Sequence, residues 1–253
     1  MSFLEGGDDL IIGRGAVLEA IRAGRGIDAL FIAKGDRVGS IGKIISSCRD
    51  LGVPIKEVDS KKLDSMCNGA NHQGVAASVP AHSYCGVDDI LNAASQKNEE
   101  PFIVICDEIE DPHNLGAIIR SAECAGAHGV IIPKRRSASL SFAVSKVSAG
   151  ALHHLPVARV ANLSAAIDDL KKKGLWIYGA DMQGLTWCQT DLKGALALII
   201  GSEGSGLGRL IKEKCDFLVS LPMKGKIESL NASVAAGIIM FEVSRQRSGL
   251  GNY

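Results

Sequence analysis

Residues 101–133 read PFIVICDEIEDPHNLGAIIRSAECAGAHGVIIP, and this stretch decides the fold. Phe102–Cys106 is an unbroken apolar run, the pattern of a strand covered on both faces. Acidic residues and a proline follow, and helical spacing runs from Asn114 to Ala125. Gly129–Ile132 is the next strand. Outward to the C-terminus the rhythm repeats. Helices are predicted at Phe142–Ala149, Leu163–Lys172, Leu207–Lys214 and Asn231–Gln246. Strands are predicted at Leu155–Val160, Leu175–Ala180, Ala195–Ile200 and Phe217–Leu221. Strands alternating with helices imply an α/β fold, a parallel sheet with helices on both faces.

Outward to the N-terminus, a smaller α/β unit is predicted. Helices are expected at Ala16–Ala23 and Ile41–Leu51, and strands at Asp28–Ala33, Val53–Val58 and Gly74–Val79. Between the two regions the chain turns polar and ends in Pro101, with room for a short helix near Asp88–Ala94. The expected division is a domain at 1–82, a linker at 83–100 and a second domain at 101–253.

The 253 residues are 46% hydrophobic and 22% charged, an ordinary globular composition. With formal net charge +0, no global field draws the chain to nucleic acid, so an RNA footprint must be a local patch. The 7 cysteines are odd in number and none form a CxxC pair, which implies a reducing compartment without a disulfide framework or zinc site. Cys106 and Cys124 are expected to pack as small core residues. MSFLEGGDDL lacks the apolar segment of a signal peptide, and Ala195–Gly201 is too short to span a bilayer. A cytoplasmic location is expected.

Three loops at the ends of predicted strands carry candidate chemistry, and ligands of open parallel sheets bind outside the carboxyl ends of strands. In the loop Asp107–Arg120, Asn114 is either an ordinary N-cap or a site residue. Arg120 follows Ile118 and Ile119, and if buried it needs an anionic partner. Gly201–Gly208, GSEGSGLG, is either a tight turn or a ligand loop. It fails the phosphate motifs: Leu207 stands where a Walker loop needs lysine, and GxGxxG is absent. Glu203 would repel a phosphate and suits a cationic, hydroxylated or amino-bearing ligand. Leu221–Ser233, LPMKGKIESLNAS, leads into the last helix, capped by Ser229 or Asn231. His153–His154 has no partner at metal spacing. Lys134–Arg136 is a solvated charge run or a phosphate contact, and Lys171–Lys173 closes a helix with favourable charge.

Taken together, DPHNLGAIIRSAECAGAHGVIIP, IIGSEGSGLGRLIKEKCDFLVSLPM and ESLNASVAAGIIMFEVSRQR resemble the three motifs of the SpoU (TrmH) family of RNA ribose 2′-O-methyltransferases, in the SPOUT superfamily. GRGAVLEA at Gly13–Ala20 and HQG at His72–Gly74 resemble that family's RNA substrate-binding domain. DPHNLGA and PKRRSA are most similar to the RlmB type, which modifies a guanosine of 23S rRNA. The resemblance implies a C-terminal trefoil knot, although periodicity alone leads to an unknotted doubly wound sheet and knots are essentially absent from proteins. It also implies a homodimer and S-adenosyl-L-methionine as cofactor, with no metal. The implied catalytic set is Asn114, Arg120, Glu203, Ser229 and Asn231. Cofactor contacts fall on Gly201, Leu221 and Leu230, with Ala180, Met223, Ser229 and Asn231 lining the same pocket. Lys134, Arg135 and Arg136 are candidate RNA contacts. One departure is Ala232, where valine is common, and it should alter packing only.

Guanidinium is effectively never deprotonated in proteins. Arg120 is therefore expected to stabilise the developing oxyanion and orient a phosphate, while water or another group takes the proton. Glu203 is expected to bond backbone N–H groups or Arg120. Competing readings are a tRNA or antibiotic-resistance rRNA methyltransferase, a non-catalytic RNA-binding assembly factor, and a nicotinamide oxidoreductase, which the missing GxGxxG disfavours.

Overall fold

The computed structural model describes residues 10–35 and 39–249. The acidic N-terminal stretch read above lies outside them, apart from Leu10. Contacts divide the chain into two units, the first up to Ser83 with Ser139–Phe142, the second Tyr84–Ala138 with Ala143–Tyr253.

The first unit comprises β1 (Leu10–Ile12), α1 (Arg14–Arg22), β2 (Ala29–Ala33), α2 (Ser40–Asp50), β3 (Ile55–Val58), α3 (Ser60–Met66) and β4 (Val75–Ser78). Its sheet runs β1-β4-β2-β3, with only the β2·β3 pair parallel. The run ALFIA in β2 is buried throughout because both sheet faces are covered. Val17 of α1 with Ile44 and Cys48 of α2 pack on one side, and Leu63 of α3 on the other. The sequence reading misses β1, only three residues long, and α3, whose seven residues bury the single Leu63. The two quoted N-terminal motifs meet: Arg14 Nε donates to the Gln73 carbonyl at 2.7 Å. His72 Nδ1 accepts from Gly74 N–H at 2.9 Å while its Nε2 pairs with Asp64 at 3.0 Å.

The second unit comprises α4 (Val87–Gln96), β5 (Phe102–Cys106), α5 (Pro112–Cys124), β6 (Gly129–Pro133), α6 (Phe142–Val147), β7 (Val157–Val160), α7 (Leu163–Lys172), β8 (Trp176–Thr186), β9 (Leu196–Ile200), α8 (Arg209–Lys212), β10 (Phe217–Ser220) and α9 (Ala232–Arg247). All six strands are parallel, in the order β10-β8-β9-β5-β6-β7. Ile103, Ile105, Ile131, Ile177 and Ile199 share one cluster with Ile90 of α4 and Ile167 and Leu170 of α7. On other helices, α5 buries Leu115, Ile118 and Ile119, and α9 buries Ala236, Ile239, Met240 and Val243.

Four expectations need correction. The short helix expected near Asp88–Ala94 is present as α4, but residues 83–100 are more than a linker, since Ile90 and Ala94 are wholly buried. Ile90 fills the space left by Gly129, where a Cβ would come within 2.6 Å of it. The polar residues that mark this stretch as a linker are the solvent face of an amphipathic helix. Cys124 is exposed at the end of α5, whereas Cys106 is buried and its thiol is pushed up to about 12 by desolvation. Strand β8 continues to Thr186, six residues past the predicted end, and β10 follows it with a bulge between Leu218 and Val219. There Gly184 admits no side chain, because a Cβ would lie 2.3 Å from the Leu218 carbonyl carbon. Helix α8 starts at Arg209 instead of Leu207, which is buried in the core cluster.

Candidate active site

From β5 the chain moves to β6 on one side, whereas β9 leads through α8 to β10 on the other. The loops after β5 and β9 thus diverge at a topological switch point, where open α/β sheets hold their ligands. A cleft of about 280 Å³ opens there, lined by Glu108, Ile109, Glu110, Asp111, Asn114, Ser202 and Glu203.

The walls of the cleft are set by helix entry chemistry. Asp111, not Asn114, caps α5: its Oδ1 accepts from His113 N–H at 2.9 Å, and Pro112 occupies the first turn, where no N–H is needed. Asn114 therefore lies inside the first turn, nearly buried, with its side chain free for other partners. Its Nδ2 donates to Glu203 Oε1 at 3.0 Å, and its Oδ1 accepts from Asn231 Nδ2 at 2.8 Å. Asn231 caps α9, its Oδ1 accepting from Ser233 N–H at 3.0 Å and Val234 N–H at 3.3 Å. That cap fixes which way the amide faces, so Nδ2 is aimed at Asn114 Oδ1 and Glu203 Oε1. Ala232 N–H is a third donor to Glu203 Oε1, at 3.4 Å. One carboxylate oxygen thus gathers three donors, and residues 114, 203 and 231, far apart in sequence, lock into one polar cluster.

The same chain matches the SpoU rRNA Methylase family over residues 101–241, and the RNA 2′-O ribose methyltransferase substrate-binding family over residues 10–85. The chain belongs to the SpoU (TrmH) family. A TrmH family tRNA/rRNA methyltransferase, YacO of Bacillus subtilis (strain 168), is 48% identical, covering 96% of this chain and 98% of that protein. A relative of the same description from Staphylococcus aureus (strain MSSA476) is 43% identical over 96% of this chain and 98% of its own. Among solved structures, the SpoU methyltransferase AviRb from Streptomyces viridochromogenes, in complex with the cofactor AdoMet, is 27% identical with a TM-score of 0.60, covering 95% of this chain and 90% of that one. The AdoMet-bound rRNA methyltransferase from Sinorhizobium meliloti shares the fold, at 24% identity and a TM-score of 0.56, over 94% of this chain and 87% of its own.

Of the SpoU residues expected in the site, the structure joins Asn114, Glu203 and Asn231. Arg120 stands apart from them. It is exposed, although Ile118 and Ile119 beside it are wholly buried, because it falls on the outer face of α5. The expectation of a buried arginine paired with an anion does not hold: the Arg120 side chain has no hydrogen-bond or ion-pair partner among the described residues, and of the two partners expected for Glu203 it is a backbone N–H, that of Ala232, that bonds it. The Ser229 side chain is likewise exposed and unpaired among the described residues.

Gly201 follows β9 where the loop folds back on itself: Ser202 N–H donates to Gly206 O at 3.1 Å and Gly206 N–H to Ser202 O at 2.9 Å. Ala180, Leu221 and Met223 are half-buried and Leu230 is 37% exposed. The basic turn after β6 sits beside the loop after β5, since Ala138 N–H donates to Ile109 O at 2.8 Å. Within that turn Arg136 pairs with Glu108 at 2.8 Å, while Lys134 and Arg135 make no ion pair among the described residues. Lys171 and Lys172 do end α7, and Lys171 also pairs with Asp216. No group of three His, Cys, Asp or Glu able to hold a metal occurs among the described residues. No helix there is long and apolar enough to cross a membrane.

The sequence reading names no role for Asp107. Its carboxylate is buried, and Oδ2 accepts from Gly208 N–H at 2.9 Å. The available signal was an acidic residue directly after five apolar strand residues, a place where a charge must find a donor.

Proposed function

We propose that the protein transfers a methyl group from S-adenosyl-L-methionine to a ribose 2′-hydroxyl of RNA, at a guanosine of 23S rRNA. The observation that carries this reading is the Asn114–Glu203–Asn231 cluster at the switch-point cleft, which unites the three family motifs. The cofactor contacts are assigned to Gly201, Leu221, Leu230, Ala180, Met223, Ser229 and Asn231. The fit is chemical: residues 222–230 form no backbone hydrogen bond with the described residues, which leaves donors and acceptors for an adenosine, and partly exposed Leu221, Met223 and Leu230 supply apolar surface. The overrun of β8 past Ala180 and the close passage of Gly184 over Leu218 support the family's trefoil knot in this segment.

When bound, the cofactor supplies a methyl group activated on a sulfonium. The chain must hold the ribose oxygen in line with it and stabilise charge growing on that oxygen. Arg120, exposed and unpaired, is assigned that charge and an adjacent RNA phosphate, its fork matching phosphate geometry. Its guanidinium stays protonated, so the 2′-hydroxyl proton leaves to water or another group. Asn114, Glu203 and Asn231 hold the two helix entries and the β9 loop in register, and Ser229 lines the cofactor side. Lys134 and Arg135, with Arg136, are assigned to backbone phosphates; the N-terminal unit reads the RNA.

A homodimer is part of the proposal. Val234, Ile238 and Phe241 stand 50%, 38% and 52% exposed at helical spacing on α9, whose opposite side is core. An apolar stripe on a helix that is already half buried fits a second copy. Work on RNA with seven free cysteines fits the cytoplasm. The test is 2′-O-methyl mapping of rRNA and tRNA from cells with and without the gene. Loss of one 23S guanosine methylation is expected; loss in tRNA instead overturns the substrate assignment.

A further inference from the structure

The loop that carries Glu203 is gripped at both ends by one residue. Asp107 N–H donates to the Ile200 carbonyl at 2.8 Å, the last rung between β5 and β9, just where the loop departs. Its side-chain Oδ2 accepts from Gly208 N–H at 2.9 Å, just where the loop returns. Between those anchors the chain makes its own narrow neck at Ser202 and Gly206, and Glu203 projects from it toward Asn114 and Asn231. Leu207, beside the second anchor, seats in the space that Gly179 leaves open, where a Cβ would lie 2.6 Å from it. Gly208 lets the carboxylate come close because it carries no Cβ; one there would crowd Oδ2 at 3.3 Å.

We propose that Asp107 is the positioning residue of the active site, clamping the β9 loop so that Glu203 meets Asn114 and Asn231. This rests on the methyltransferase reading above, and it acts through another residue, not on substrate. Burial without a cation makes a carboxylate costly, and here desolvation pushes the Asp107 carboxyl up. An apolar residue would fill the same place at no such cost but would leave Gly208 N–H unpaired and the loop exit loose.

The experiment compares Asp107→Ala and Asp107→Asn in the full chain. Asparagine keeps an oxygen that accepts from Gly208, and alanine does not. Hydrogen exchange is read at Ser202, Gly206 and Gly208, and methyl transfer to rRNA in parallel. Asp107→Ala should speed exchange in this loop and cut kcat by about 100-fold, the scale of an ångström of misplacement, with the RNA KM little changed. Asp107→Asn should restore most of both. In a Glu203→Ala background, Asp107→Ala should cost less than about twofold more, because the two act as one unit. Normal exchange in Asp107→Ala, a lowered Tm with unchanged kcat, or no rescue by Asp107→Asn would each overturn the clamp. If the wild-type protein methylates no RNA, the function reading has failed, and the exchange arm alone decides the clamp.

Discussion

Replacing Gly201 with alanine puts a methyl group into the neck of the β9 loop. The added Cβ would lie 2.2 Å from the Gly206 carbonyl carbon, 2.3 Å from its oxygen and 2.5 Å from Leu207 nitrogen. All three are backbone atoms, so no side chain can swing aside, and the neck must open. Opening breaks the two Ser202–Gly206 hydrogen bonds, worth about 1 kcal/mol each. Residual crowding adds about 1 kcal/mol at the low end for overpacked sites. A cofactor that needs the closed neck must first restore it, and the sum of about 3 kcal/mol corresponds to about 150-fold in Kd. Titration calorimetry with S-adenosyl-L-methionine measures this, with Gly204→Ala as the matched control. Nothing lies within 4 Å of a Cβ at Gly204, in the same loop. Gly201→Ala with wild-type affinity, or Gly204→Ala equally impaired, would refute the reasoning.

Other perturbations separate the remaining parts of the account. Asn231→Asp keeps the α9 cap but replaces the two amide donors with a carboxylate facing Glu203; turnover should collapse while circular dichroism shows an intact helix. Arg120→Ala should lower single-turnover methylation roughly 100- to 1000-fold with little change in cofactor Kd, and Arg120→Lys should remain poor. Chains beginning at Tyr84 and at residue 98 should differ sharply in melting, since the second loses Ile90 from the core, at a cost of about 2–5 kcal/mol. His128 Nδ1 accepts from Phe102 N–H at 3.0 Å, so its proton sits on Nε2 facing Glu99. Burial lowers its pKa below the ordinary 6.5, against the pull of Glu99. Its contribution to stability is full above that value and is lost as pH falls through the folded pKa. His128→Gln should flatten the acid limb of Tm against pH.

Much of the second unit was legible because its strands are unbroken apolar runs between helices with a clear period. Phe102–Cys106 and Leu163–Lys172 match residue for residue. The helix near Asp88–Ala94 was legible, but its place in the core was obscured by the polar outer face that nearly any surface helix carries. The long β8 was obscured because Asp181–Thr186 lacks an apolar period; its pairing depends on Gly184 letting Leu218 pass, a contact between distant residues. In the site, residue types left Asn114 and Asn231 as possible plain caps, and the family resemblance singled them out with Glu203; the caps that aim their side chains are a matter of tertiary geometry. Arg120 shows the converse limit. Two isoleucines before it imply burial, yet one helical step of about 100° carries the next residue to the outer face.

The most direct test is single-turnover reaction of the purified protein with S-adenosyl-L-methionine labelled in its methyl group and 23S rRNA lacking its modifications. The RNA is then digested and its nucleosides are resolved by mass spectrometry. The account predicts label on the ribose of a guanosine, abolished by Asn231→Asp and sharply reduced by Arg120→Ala. Label on a base, or ribose label undiminished in both variants, would contradict it.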